Sequence, residues 1–332
     1  MMTDHWYIGI DIGGTTSAVV LINESGKVRE REEFRTGKGD EGWQETVSQF
    51  QNLVREFRLE EHVAALGISC GGPLDTGEGL ILSPPNLPDW DEVPIVDLLR
   101  EEFPGPVALE NDANAGALAE WKYGAGKDCH NLIYLTFGTG LGAGLILNGE
   151  LYRGTNGFGG EVGHIRLDDF GPVGYHKRGS FEGYCSGPGF SQMMGMELLA
   201  LQEEIGREAM LSRYMEPGEV TGRDVVEWAV SGEPLATEVI KKSGEYFGRG
   251  LSILIDILNP ERIVVGSMGV RLGKMLFDPA REVISREALH GAAEVCEIVP
   301  AALGGEIGDY AALCVALEAE KEMNSGSSGQ DI

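Results

Sequence analysis

Residues 6–23, "WYIGIDIGGTTSAVVLIN", and residues 131–148, "NLIYLTFGTGLGAGLILN", carry one pattern twice. Each is an apolar strand, a turn of glycine and threonine, and a second apolar strand that returns at once. Sliding the first copy by 125 positions lays it on the second without a gap. Gly13 then meets Gly138, Ala18 meets Ala143 and Asn23 meets Asn148, while Ile10, Val20, Leu21 and Ile22 meet Leu135, Leu145, Ile146 and Leu147. In a chain of 332 residues, such a recurrence predicts two related domains, each opening on its own hairpin.

Between and after the two copies, strand-like and helix-like stretches alternate, the mark of an α/β fold. A third strand-like piece follows the turn "NESGK", then a helix near 42–58. "VAALGISC" (63–70) reads as a buried strand running into Gly71-Gly72-Pro73, and "LILSPPNLPDW" (80–90) as a proline-punctuated loop. "PVALENDANAGALAEWKYGAG" reads as a strand, a turn and a helix from about Asn111 to Tyr123, closed by Gly124. Residues 186–259 are mostly helical, "RIVVGSMGV" is a strand followed by glycines, and "EIGDYAALCVALEAEKEM" is a last helix. The closing "NSGSSGQDI" has the composition of a flexible tail.

Glycine turns of this kind let backbone N–H groups close on an anion. No turn carries the lysine of a phosphate-binding G-x-x-x-x-G-K-[ST] loop. Gly138, Gly140 and Ala143 fit G-x-G-x-x-A, with Glu161 further on, but that fingerprint has to open a helix and "AGLILNG" returns as a strand. A nucleotide clamped between two hairpins is the reading that accounts for the duplication. The charge balance narrows the partners. There are 26 basic and 53 acidic residues, a net of −27, which repels nucleic-acid backbones. No apolar run is long enough to span a membrane, and the N-terminus lacks a signal-peptide pattern. Five scattered cysteines, with no C-x-x-C pair, give neither a disulfide framework nor a metal knuckle. A cytoplasmic location is expected.

Five stretches, Asp11-Ile-Gly-Gly-Thr-Thr16, "PNLPDW" (85–90), "ENDANAGALAE" (110–120), "FGTGLGAGLILNGELYRG" (137–154) and "GGEVGH" (159–164), together resemble the ROK family of repressors, open reading frames and kinases. The resemblance runs over essentially the whole chain. It implies the two-domain actin- and hexokinase-like ATPase fold, with duplicated ribonuclease H-like domains around an interdomain cleft. The expected division is a smaller domain of residues 1–118 with 307–323, a larger domain of 119–306, and a tail of 324–332.

The resemblance implies an ATP-dependent sugar kinase acting on a hexose or hexose derivative. ATP would be held by Gly13, Gly14, Thr15 and Thr16, by Gly138, Thr139 and Gly140, and by Gly266, where Ser267 replaces the family's usual second glycine. Asp11 would organise Mg²⁺ through water, since that ion gives up its hydration shell reluctantly. Asp112 is the expected general base, orienting a sugar hydroxyl and accepting its proton. Asn111 or Asp112 also suits the helix N-cap, and the helix start is expected to lower the Asp112 pKa. Gly72, Asn86, Asn111, Asp112, Glu161, His164 and Glu182 match the family's sugar-contacting positions.

One stretch departs from the family. Its usual zinc loop, C-x-C-G-x-x-G-C-x-E, is here "VGYHKRGSFE" (173–182), with Val173, Tyr175 and Ser180 where cysteines are expected. Zinc prefers four N or S ligands in structural sites, so no structural zinc is expected. The resemblance further implies a homodimer or tetramer. Only five residues precede Trp6, so the helix-turn-helix domain of the family's repressors is not expected, and a non-catalytic, regulatory sugar-binding protein is the alternative.

Overall fold

The computed structural model describes residues 5–39 and 41–327. In chain order its strands are β1 (Trp6–Ile12), β2 (Thr16–Asn23), β3 (Val28–Arg35), β4 (Val63–Cys70), β5 (Leu74–Asp75), β6 (Leu80–Ile81), β7 (Val107–Asn111), β8 (Leu132–Phe137), β9 (Leu141–Leu147), β10 (Glu150–Leu151), β11 (Val173–Gly174), β12 (Lys177–Arg178), β13 (Arg262–Val265) and β14 (Glu297–Pro300). Two five-stranded sheets result, ordered β3-β2-β1-β4-β7 and β10-β9-β8-β13-β14. In each, the opening hairpin is antiparallel and the next two strands are added in parallel on its other side. The second sheet repeats the topology of the first, and the two Gly–Thr turns occupy the same place in it.

β1 and β2 are apolar almost throughout because both faces of the sheet are covered. β3, "VREREEFR", is the exposed outer strand, and its charges discourage pairing with another edge. One face of the first sheet is covered by the helix Gly42–Glu60, through Phe50, Val54 and Phe57, and by Trp90, Ile95 and Leu99. The last helix, Ile307–Ser327, covers the other through Leu313 and Ala316. It approaches so closely that a Cβ on Gly67 would lie 2.2 Å from the Ala312 carbonyl oxygen. The second sheet has its own core, in which Phe137 packs near Phe190 and Phe247.

The chain divides into two compact units, one of Met1–Lys127, Leu151–Gly159 and Leu303–Ile332, the other of Asp128–Glu150 and Gly160–Ala302. This differs from the expected boundary at 118/119. That point falls inside the helix Asp112–Lys122, which a continuous hydrogen-bond ladder keeps in the first unit. Residues 151–159 also belong to the first unit, where Arg153 Nε donates to Glu110 Oε2 at 2.6 Å. The last helix continues to Ser327, four residues into the expected tail; the rest of that tail lies outside the described residues. The glycines after β13 open a short helix, Met268–Leu272. Among the described residues, no helix is long and apolar enough to cross a membrane.

Candidate active site

In the first unit the candidate residues gather where β1, β4 and β7 end. The Gly13–Thr16 turn is closed by Gly13 N donating to the Thr16 carbonyl at 3.1 Å, and is braced by Thr36, whose hydroxyl donates to the Gly13 carbonyl at 2.7 Å. Thr15 and Thr16 are exposed. No side chain fits on Gly14, because its Cβ would stand 2.6 Å from that of Asn86. The turn thus offers bare backbone and two hydroxyls, a surface an anion can approach, and Asn86 lies directly against it.

Asp11 is the penultimate residue of β1. Its carboxylate accepts no hydrogen bond among the described residues, and a Cβ on Gly308 would be 2.3 Å from Oδ2. Burial, with the nearby charges of Asp112 and Asp309, pushes its pKa up to about 6, against a smaller pull from Arg31. A carboxylate held in so acidic a neighbourhood is costly without a cation. The donor set fits a hydrated Mg²⁺, which takes oxygen ligands and keeps its waters.

Asn111 ends β7, and its side chain accepts from Ala113 N at 3.0 Å, so Asn111 is the N-cap of the helix Asp112–Lys122. Glu110 secures the same corner from below. Its Oε1 accepts from Asn111 N at 3.0 Å and from Asn114 Nδ2 at 2.9 Å, and its Oε2 is paired with Arg153. Asp112 is left as the first helical residue, part of its surface reaching solvent while its carboxylate is crowded by surrounding protein. Gly71 and Gly72 run past it, with Gly71 beside the Asp112 carboxylate and Gly72 beside the Asn111 amide. Crowding by surrounding protein raises the Asp112 pKa and outweighs the lowering by the amides of Ala113 and Asp112 itself. The expected lowering by the helix start is therefore reversed, because lost hydration exceeds the help from two N–H groups.

In the second unit, Gly138 N donates to the Gly140 carbonyl at 3.0 Å to close the matching turn, with Thr139 exposed at its tip. Glu182 reaches this turn: its Oε2 accepts from Leu141 N at 3.1 Å. Glu161 precedes and His164 ends a short 3₁₀ turn, Val162–His164, whose Gly163 packs against the Leu141 carbonyl and the Glu182 side chain. Gly266 donates its N–H to the Leu135 carbonyl at 2.9 Å. Ser267, where glycine was expected, has φ +48°, the left-handed conformation that favours glycine.

The chain now shows two glycine turns at matching places in duplicated sheets, with Asp11 and Asp112 at strand ends of the first. The sequence model of the ROK family matches residues 7–318. The chain belongs to the ROK family. Among its relatives within that family, the glucokinase of Halalkalibacterium halodurans is 31% identical over 332 residues, covering 98% of this chain and 99% of the relative. The xylose repressor of Caldicellulosiruptor bescii is 30% identical over 292 residues, covering 85% of this chain and 70% of the repressor. A crystal structure of a ROK family glucokinase from Streptomyces griseus in complex with glucose and AMPPNP is 30% identical, with a TM-score of 0.74, covering 94% of this chain and 99% of that one. The fold is the two-domain hexokinase-like fold of the family.

Within this ROK protein, no group of three or more His, Cys, Asp or Glu side chains that could hold a metal ion occurs among the described residues. In the stretch where the family's zinc loop is expected, Ser180 is fully buried and its hydroxyl caps a one-turn helix by accepting from Gly183 N at 3.1 Å. Purified protein treated with a chelator is expected to keep its thermal midpoint and activity, with zinc far below one equivalent by elemental analysis. Stoichiometric zinc, or a fall in midpoint on chelation, would contradict this.

Sequence reasoning missed Asp309. Asp309 accepts from Arg31 Nε at 3.0 Å and adds negative charge at Asp11. The "GD" pair at 308–309 was the available signal, since only glycine at 308 leaves room for the Asp11 carboxylate.

Proposed function

We propose that this sugar kinase of the ROK family transfers the terminal phosphoryl group of ATP to a hydroxyl of a hexose, with Asp112 as the general base. The observation that carries the reading is local: Asn111 takes the helix N-cap, leaving the neighbouring Asp112 with part of its surface reaching solvent and a raised pKa. The two glucokinase relatives named above support glucose or a close derivative as acceptor.

Bound Mg-ATP supplies the transferable phosphoryl group and much of the charge neutralisation that phosphoryl transfer requires. Gly13, Gly14, Thr15 and Thr16 in one unit, and Gly138, Thr139, Gly140 and Gly266 in the other, would hold its phosphates, the threonines through their hydroxyls and the glycines by leaving the backbone bare for close approach; the N–H groups of Gly13, Gly138 and Gly266 are already spent on closing their own turns. Asp11 would hold the magnesium ion, which would neutralise charge on the phosphates. Asn86, Asn111, Glu161, His164 and Glu182 bind sugar hydroxyls, with Gly72 giving backbone room beside Asn111. Asp112 orients the attacking hydroxyl and accepts its proton, and its raised pKa makes it a better base than an ordinary aspartate. A cytoplasmic setting and a homodimer belong to the same proposal.

Incubation with Mg-ATP and a panel of hexoses, read as ADP release, tests it. Sugar-dependent ADP is the expected result. Sugar binding without ADP release would instead favour the regulatory reading that the xylose repressor relative keeps open, and absence of both would end the proposal.

A further inference from the structure

Glu182 is held in a tight place whose walls are glycines. A Cβ on Gly140 would lie 2.9 Å from its Oε2, and Cβ atoms on Gly163 and Gly174 would lie 3.2 and 2.9 Å from its own Cβ. Two of these walls belong to well-anchored elements, the β8–β9 turn and the 3₁₀ turn. The third, Gly174, belongs to the β11–β12 hairpin, whose 172–174 strand is tied to its own loop by Gly179 N donating to the Pro172 carbonyl at 2.9 Å and by a long Ser180 hydroxyl bond to the Gly174 carbonyl at 3.4 Å.

Each strand of that hairpin is two residues long. An isolated ladder of that length is not stable. Its turn makes matters worse. Tyr175 and His176 both have positive φ, +36° and +63°, in a two-residue connection that favours Asn and Gly. Yet the hairpin lies on the backbone of the Glu182 helix with no room for a methyl group: Cβ on Gly174 would stand 2.5 Å from Gly183 N, and Cβ on Gly183 would stand 2.5 Å from the Pro172 carbonyl oxygen. A shift of the 172–174 strand therefore shifts Glu182 with it.

The anchor comes from the next helix, Gly187–Ile205. The Gln192 carboxamide pairs with the Val173 peptide in both directions. Val173 N donates to Oε1 at 2.8 Å, and Nε2 donates to the Val173 carbonyl at 2.9 Å, with a longer bond to the Pro188 carbonyl at 3.3 Å. Gln192 thus does for Val173 what a neighbouring strand would do. On the far side of the loop, Tyr184 OH donates to the Phe170 carbonyl at 2.8 Å, and Tyr246, stacked on Tyr184, donates to Asp168 Oδ2 at 2.6 Å. Those contacts secure residues 168–170, whereas among the described residues the side chain that hydrogen-bonds Val173 is that of Gln192.

We propose that Gln192 is a positioning residue for sugar recognition: by clasping the Val173 peptide, it fixes the 172–174 strand against Glu182 and sets where the Glu182 carboxylate points, with no metal ion in the loop. The proposal rests on the reading of Glu182 as a sugar contact.

The test uses the full-length protein and three variants. Gln192→Leu removes both hydrogen bonds at similar volume. Gln192→Glu keeps the acceptor for Val173 N and loses the donor. Glu182→Gln addresses the sugar contact itself. For Gln192→Leu, the expected results are a glucose KM raised about tenfold, kcat and the ATP KM within threefold, and faster amide exchange across residues 172–183. Gln192→Glu should fall between this and the wild type. A general folding defect would not separate the two KM values in this way. Unchanged exchange across 172–183 overturns the clasp whatever the kinetics. Faster exchange with an unmoved glucose KM overturns the positioning role when Glu182→Gln raises that KM. When Glu182→Gln leaves it unmoved too, the sugar-contact reading has failed, and the exchange result alone then upholds or overturns the clasp on Glu182.

Discussion

Asp112→Asn is expected to lose phosphoryl transfer by a factor of roughly 10³ to 10⁴ while folding normally, the range of a removed general base combined with lost orientation of the hydroxyl. The substitution keeps size and shape, and the helix cap is untouched because Asn111 provides it. Two small stability effects oppose each other. A neutral side chain gives up about 0.5 kcal/mol of favourable interaction with the helix N-terminus, and it removes a carboxylate whose hydration is hindered. The thermal midpoint should therefore stay within a few degrees of the wild type. Glucose KM should change only a few-fold, since the amide still occupies the site. Coupled measurement of ADP release, alongside a thermal melt, checks both halves. Turnover near the wild-type rate in a folded variant would remove Asp112 from the chemistry.

The second large effect is a trade of stability against activity at Asp11. Its folded-state pKa of about 6 lies above that of an ordinary aspartate near 3.8, chiefly through burial and then through Asp112 and Asp309. The folded state therefore binds more protons than the unfolded chain between those two values. Native stability falls as pH rises through that window, and the full cost of the charge is present above about pH 6. Asp11→Asn removes the cost. The variant should be more stable than the wild type by roughly 3 kcal/mol at pH 7.5, with the advantage shrinking towards zero as pH falls to about 4. The same change should abolish magnesium-dependent turnover. Urea melts at the two pH values, with activity measured at the upper one, test this. Equal stability of both proteins at pH 7.5 would show that Asp11 carries no burial cost.

How much of this was legible depends on whether the physics was local. The strand–turn–strand copies were, because an apolar run broken by glycines and resumed at once leaves few alternatives to a buried hairpin; β1, β2, β8 and β9 lie at the predicted places. The helix after Asn111 was legible for a similar reason, with Asx chemistry at its start and glycine after its end. The β11–β12 hairpin and β14 were not, since two to four residues carry no periodicity to read. Gln192 was invisible as well. Its partner is a peptide group nineteen residues away, and a peptide group has no sequence signature. The sign of the Asp112 shift was missed because a helix start is written in the sequence, whereas crowding by distant residues is not. Ser267 shows the converse: the backbone keeps a glycine-like conformation at a position where the residue has changed.

The buried hydroxyl of Ser180, where a thiol is expected in this family, has a consequence at the scale of the cell. Cysteines that ligate a metal tie an enzyme to the supply of that metal and leave it open to peroxide, which oxidises thiolates and releases the ion. A loop closed by an alcohol, a carboxamide and two stacked phenols offers an oxidant no sulfur to attack. Sugar phosphorylation built on such a loop is expected to continue through zinc starvation and peroxide stress that would stop a zinc-dependent counterpart, while keeping its need for magnesium.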